Sequence, residues 1–190
     1  MTDYLILVDK FNRVPDDYMP ILADIGEKKL EKQACEQCRC MLKKADRQGV
    51  KIKIISAYRT LEYQQMLWDN SIREQMDVGL SEEQARELIS QTLALPGHSE
   101  HNLGLAVDFG TEYADDVEDD FYSSKQGRWL CKNAAHYGFI LRYPRMKEHI
   151  TGISYEPWHY RYVGTEAAEI IQKSGICLEE FLHFYSEKYI

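Results

Sequence analysis

The stretch Ser99-Glu100-His101-Asn102-Leu103-Gly104-Leu105-Ala106-Val107-Asp108 puts an imidazole and a carboxylate seven residues apart, with small residues between them. Leu103–Phe109 reads as a strand in which Gly104, Ala106 and Asp108 share one face, because side chains alternate along an extended chain. Gly104 and Ala106 keep that face open, so a metal or a substrate can approach the backbone beside Asp108. Downstream, Glu156-Pro157-Trp158-His159 offers a second imidazole with a carboxylate just before it. Pro157 opposes a regular helix through this cluster, so it is no HExxH site with both ligands on one helical face. An isolated His and Asp reads as a loop residue and a strand end. The two clusters together supply three N/O donors, His101, Asp108 and His159, which suit a hydrolytic zinc centre. Its fourth position is left for water, and Glu156 is placed to take the proton of that water.

Outward from this core, Tyr4–Val8 reads as an edge strand or an extended lead-in. Leu30, Ala34, Cys38, Met41 and Ala45 recur at helical spacing, which predicts a helix over 28–47 with Gly49 as its stop. Val50–Ile54 alternates with period two and runs into Ser56-Ala57-Tyr58-Arg59. Thr60 caps a helix through about Gln75, with Leu67 and Trp68 on its inner side. Ser81-Glu82-Glu83-Gln84 is a capping box opening a helix that ends near Pro96-Gly97. Tyr113–Asp120 is an acidic loop, and a short helix over 128–137 stops at Gly138. Phe139–Tyr143 and Trp158–Val163 read as strands, and Thr165–Lys173 and Leu178–Tyr189 as closing helices. The expected architecture is α+β: a single domain over residues 1–190, with a small, mainly antiparallel sheet flanked by helices and the zinc site on the sheet.

Length and composition are consistent with that picture. A chain of 190 residues can bury a proper core as one domain. Its 23 basic against 31 acidic residues give a net charge of -8, which argues against a nucleic-acid or anionic-membrane binder. Any anionic substrate must then be met by a local cation. Five cysteines, three of them close together at Cys35, Cys38 and Cys40, do not form a disulfide framework and suit a reducing compartment. Since these three fall inside a predicted helix, free thiols are expected rather than a second metal or redox site. No run of about 18 apolar residues spans a membrane. The expected compartment is the cytoplasm, with the cell envelope as the alternative.

The ordered residues Ser99-x-His101-x-x-Gly104-x-Ala106-x-Asp108 and Glu156-x-x-His159 resemble the signature of the LAS-type zinc D,D-peptidases, which include the VanY and VanXY enzymes of vancomycin resistance. The likeness runs from Ser56-Ala57-Tyr58-Arg59-Thr60 to Tyr155-Glu156-Pro157-Trp158-His159-Tyr160-Arg161-Tyr162-Val163-Gly164. Gly138-Phe139-Ile140-Leu141-Arg142-Tyr143-Pro144, with Ile150-Thr151-Gly152-Ile153, is similar to the VanXY branch. The resemblance implies one zinc per chain, held by His101, Asp108 and His159, with Glu156 as general base. It implies Arg59 as the cation that meets the oxyanion or a substrate carboxylate, a task suited to a planar guanidinium. Gln64 and Ser99 match substrate-binding positions, although a purely structural role fits each nearly as well. The implied activity is D,D-carboxypeptidase, with or without D,D-dipeptidase activity, on peptidoglycan precursor peptides or free D-Ala-D-Ala. The competing expectations are an L,D-carboxypeptidase or endopeptidase of the same family, and a non-catalytic zinc-bearing peptide-binding module. His98 reads as a loop residue or a support beside the site. His136, His149 and His183 read as structural, and Trp158 as a pocket wall or core residue.

Overall fold

A computed structural model describes residues 3–189. Its main sheet has four strands in the order β3 (Lys53–Ser56), β4 (Ala106–Gly110), β6 (His159–Tyr162) and β5 (Phe139–Leu141), every neighbouring pair antiparallel. Strand β4 is buried along its whole length, with a partner strand on each edge. This explains why Ala106-Val107-Asp108-Phe109-Gly110 carries small and apolar residues around one acid. A separate hairpin joins β1 (Leu22–Ile25) to β2 (Lys28–Glu31). Its tight turn needs Gly26, whose φ of +62° lies in the region that glycine enters without strain.

Seven helices surround these strands among the described residues: α1 (Lys32–Arg47), α2 (Leu61–Asp77), α3 (Glu82–Ile89), α4 (Lys125–Asn133), α5 (Glu148–Thr151), α6 (Thr165–Ser174) and α7 (Leu178–Tyr189). Helix α1 buries Ala34, Cys35, Cys38, Met41 and Ala45, the stripe expected from its period. That stripe packs into the main core with Leu103, Leu105, Val107, Phe109, Phe139 and Tyr160. Thr60 caps α2 by accepting from Tyr63 N, and Ser81 and Gln84 form the expected capping box on α3. On α2 the inward residues are Gln64, Trp68 and Ile72, while Leu67 is half-buried. The α+β class with a small antiparallel sheet stands as expected.

Several boundaries differ from the sequence reading. Lys28–Glu31 is a strand and not the first turn of a helix, because Glu31 turns its carboxylate onto the amides of Gln33 and Ala34 and starts α1 there. Helix α3 ends at Ile89 instead of near Gly97. The carbonyls of Gln91 and Ala94 are used outside the helix, accepting from Ser154 N and from Gln64 Nε2, each at 2.8 Å. The strand expected at Val50–Ile54 is shifted to Lys53–Ser56, since Lys53 already pairs with Gly110, the last residue of β4. Leu103 belongs to a 3-10 turn, Glu100–Leu103, and Gly104 closes that turn at φ +72° before β4 begins. Of the two readings for Tyr4–Val8, the lead-in is the one found: it forms no strand.

Candidate active site

The 3-10 turn and β4 together aim the Ser99–Asp108 stretch into one cleft. Ser99 caps the turn by accepting from His101 N at 3.3 Å. Gly104 then reverses the chain, and its carbonyl accepts from Glu31 N at 2.7 Å, which ties the hairpin to the turn. Asp108 sits in register opposite Ser56 on one side and His159 on the other. The cleft encloses about 280 Å³, and Arg59, Gln64, Ser99, His101, Asp108, Glu156 and His159 all line it. Residues as far apart in the chain as Arg59 and His159 therefore line one cleft.

His101, Asp108 and His159 are buried, and each offers a ligand atom within 4.8 Å of the other two. His101 Nδ1 lies 2.6 Å from the Ala57 carbonyl. A carbonyl only accepts, so the ring hydrogen belongs on Nδ1 and the lone pair on Nε2, 3.1 Å from Asp108 Oδ2. His159 is turned the other way: Nδ1 lies 3.0 Å from Asp108 Oδ1 and 3.6 Å from Glu156 Oε2, while Nε2 lies 3.5 Å from Glu100 Oε2. Asp108 Oδ1 is buried and has no hydrogen-bond partner, although His159 Nδ1 lies 3.0 Å away. Convergent nitrogen and oxygen donors with an unsatisfied carboxylate oxygen are the chemistry a zinc ion requires. The donor set fits.

Electrostatics follow from burial. The His101 ring is lowered to about 4, first by burial and then by the Arg59 charge. It stays a neutral donor at physiological pH. His159 rises to about 9, because Asp108 and Glu100 outweigh the burial that would lower it. Asp108 is driven well below the usual carboxylate range in spite of its burial, by His101 and His159. Glu156 is pushed up to about 8, chiefly by burial and further by Asp108 and Glu100. Two acids in one cleft thus hold opposite protonation preferences.

Arg59 reaches Asp108 Oδ2 at 2.7 Å through Nη2 and donates from Nε to Ser56 Oγ at 2.9 Å. Its Nη1 faces Gln64 Oε1 at 3.5 Å, and Asn102 Nδ2 donates to its backbone carbonyl at 2.8 Å. Gln64 is fully buried and its amide hydrogen goes to Ala94 O, so it braces Arg59 as well as lining the cleft. Trp158 also lines the cleft. Among the other residues singled out from sequence, Cys35 and Cys38 are buried free thiols and Cys40 is an exposed one. His98 contacts the Asp9 carbonyl at 2.7 Å, and His136 pairs with Glu169 at the surface.

Sequence reasoning missed Glu100, Arg142, Arg161 and Tyr143. The two arginines and Glu100 form a fully buried ion cluster behind His159, and the Tyr143 ring lies 4.9 Å from the His159 ring. For Arg142 and Arg161 the available signal was a charge within otherwise apolar or aromatic sequence, since arginine is almost never fully buried unless paired.

Comparisons with known proteins agree with this geometry. The family model described as VanY, D-alanyl-D-alanine carboxypeptidase, matches residues 27–165. A D-alanyl-D-alanine carboxypeptidase of Enterococcus faecalis (strain ATCC 700802 / V583) is 39% identical over 180 residues, which is 94% of this chain and 65% of that protein. The chain therefore spans just under two thirds of that relative's length. The crystal structure of the vancomycin-resistance D,D-pentapeptidase VanY, a mutant from a VanB-type cassette in complex with Zn(II), superimposes with a TM-score of 0.86 at 38% identity, covering 95% of this chain and 99% of that one. VanYB in complex with D-alanine-D-alanine gives a TM-score of 0.86 at 38% identity, covering 95% and 98%. Among the described residues no helix is long and apolar enough to cross a membrane. The match over most of its length, together with the His101, Asp108 and His159 donor set, means that the chain belongs to the VanY D-alanyl-D-alanine carboxypeptidase family.

Proposed function

We propose that this chain is a zinc-dependent D,D-carboxypeptidase that releases the terminal D-alanine of peptidoglycan precursor peptides, with D,D-dipeptidase activity on free D-Ala-D-Ala as a second capacity. Such chemistry serves cell-wall remodelling or glycopeptide resistance. The observation that carries the reading is the convergence of three buried donors with Glu156, whose Oε2 stands 3.6 Å from His159 Nδ1. In this reading His101, Asp108 and His159 hold the metal, one ion per chain. When bound, zinc supplies Lewis acidity, polarising the scissile carbonyl and making water acidic near neutral pH.

The protein's own groups do the rest. Glu156 accepts a proton from the attacking water as its oxygen bonds to the carbonyl carbon. It then hands that proton to the amine of the departing D-alanine as the C–N bond breaks. Burial makes Glu156 basic enough to hold the proton between the two steps, while the His159 and Arg59 charges oppose that rise. Arg59, anchored through Nη2 and Nε and with Nη1 only loosely held by Gln64 at 3.5 Å, lines the cleft as the cation for the oxyanion or a substrate carboxylate. Gln64 and Ser99 line the substrate side. The whole chain acts as one catalytic domain. Its five unpaired cysteines support the cytoplasm as the compartment, and cell fractionation decides between it and the envelope.

The test is D-alanine release from dipeptide and from pentapeptide precursor, measured side by side with added zinc and beside an L,D-linked control. Release from a D,D substrate, lost on chelation and restored by zinc, is the expected result. Cleavage of the L,D bond alone, or activity indifferent to chelators, would overturn the reading. Zinc and peptide binding without any release would mark a binding module.

A further inference from the structure

Behind the metal-ligand cluster lies a polar knot that no step above uses. Glu100 is fully buried on the 3-10 turn, one residue before His101. Its Oε1 accepts from Arg142 Nε at 2.7 Å and pairs with Arg161 Nη1 at 2.9 Å. Its Oε2 is left facing His159 Nε2 at 3.5 Å. Both guanidiniums are anchored elsewhere. Arg142 grips Glu179 of α7 through Nη1 and Nη2, at 3.0 and 2.6 Å. Arg161 donates to the Tyr162 carbonyl from Nε, and to the Tyr4 and Ile6 carbonyls from Nη2. Two arginines against two glutamates leave the knot balanced in charge, with Glu100 as an ionised acceptor.

We propose that Glu100 is a positioning residue for the metal centre: it keeps the ring hydrogen of His159 on Nε2, so that Nδ1 carries the lone pair toward Asp108 and Glu156. This rests on the assignment of His159 as a metal ligand. The physical argument is one of donors and acceptors. An imidazole presents a lone pair from one nitrogen only if the other bears the hydrogen, and an ionised carboxylate can only accept. The two arginines occupy Oε1, and so determine that an oxygen, never a donor, meets His159.

That logic makes Glu100→Gln an informative variant rather than a neutral one. In the amide, the oxygen goes to the two guanidiniums and the NH2 group must face His159 Nε2. The donor then meets a nitrogen that needs to donate. The favoured tautomer switches to hydrogen on Nδ1, which blocks the lone pair aimed at the metal. A purely structural knot, by contrast, predicts a less stable protein with unchanged metal affinity.

The experiment is zinc affinity by chelator competition on wild type and Glu100→Gln, each checked for native fold. Alongside it runs NMR of the zinc-loaded wild type with 15N-labelled histidine. Glu100→Gln should bind zinc about 10–100-fold more weakly, and the wild-type His159 ring should carry a slowly exchanging hydrogen on Nε2. A folded Glu100→Gln with wild-type affinity would overturn the proposal. If that variant does not fold, the wild-type spectrum decides, and a hydrogen found on Nδ1 refutes the role. A wild type that binds no zinc sinks the metallopeptidase reading itself, and the positioning role with it.

Discussion

Asp108 and His159, 51 residues apart in the chain, are direct cross-strand partners in the β4–β6 ladder, and their side chains meet at 3.0 Å. The backbone pairing itself creates this half of the donor set. A shift of register by one residue would send one of the two side chains to the opposite face of the sheet. The site is therefore only as well defined as the core that holds the register, from Val107 and Phe109 on β4 to Tyr160 and Tyr162 on β6.

Glu156→Ala should retain zinc and peptide binding while D-alanine release falls by about 10²–10⁴-fold, the usual contribution of a positioned general base. Glu156 contributes no atom to the three-donor group, so metal content should be unchanged by elemental analysis. Equal release from variant and wild type would refute the base assignment.

Removal of the Arg59 guanidinium should lower kcat by about 10²–10³-fold, in the range found when one oxyanion donor is lost. Arg59→Lys should recover only part of this, because Nη2 on Asp108, Nε on Ser56 and Nη1 toward Gln64 use three separate nitrogens. Steady-state kinetics with the zinc content held equal would check both variants.

Gly104→Ala should destabilise the fold by about 1–3 kcal/mol, the cost of placing a non-glycine residue in the left-handed region. Beyond the φ of +72°, an added Cβ would lie 3.0 Å from Leu22 Cδ2 and 3.1 Å from Glu31 N, so the hairpin would have to move. Denaturant unfolding measures the loss. An unchanged midpoint would contradict the packing argument.

Glu180 provides a pH test away from the site. Its carboxylate accepts from Lys147 Nζ at 2.7 Å and from Cys177 N at 2.8 Å, and these contacts, the Lys147 bond foremost, hold its pKa below the ordinary 4.5. A depressed folded-state pKa means that the stabilisation is present above the unfolded value and is lost as pH falls through the folded one. Glu180→Gln should therefore be less stable than wild type at neutral pH, with the gap closing in acid below pH 4.5. Thermal melts across that range would reveal it. A gap that persists unchanged in acid would show that the charge is not the cause.

Helix caps and apolar stripes were legible because they are short-range. Thr60, Ser81 and the α1 stripe act on residues three or four positions away, and each is found in place. The α1 start was misread because Lys28-Lys29-Leu30-Glu31 fits a helical period as well as a strand, and only the hairpin partner Leu22–Ile25 decides between them. The end of α3 was misread for a related reason. Gln64 and Ser154 take carbonyls that local sequence leaves available.

By itself the sequence determined which chemistry is possible here: two imidazoles, one small-flanked aspartate and a proline-directed Glu156, in an order that marks the family. Gly104 and Pro157 restrict the backbone locally, so the segments carrying those side chains had few conformations to choose from. Tertiary structure alone decided which nitrogen of each histidine faces the three-donor group that could hold a metal. The Ala57 carbonyl orients His101, and Glu100, held by Arg142 and Arg161, faces the outer nitrogen of His159. Those partners come from the residue after β3, the 3-10 turn, strand β6 and the residue after β5. A buried charge or ring nitrogen takes its preference from whichever groups the fold brings within hydrogen-bond distance, and no periodicity along the chain encodes that.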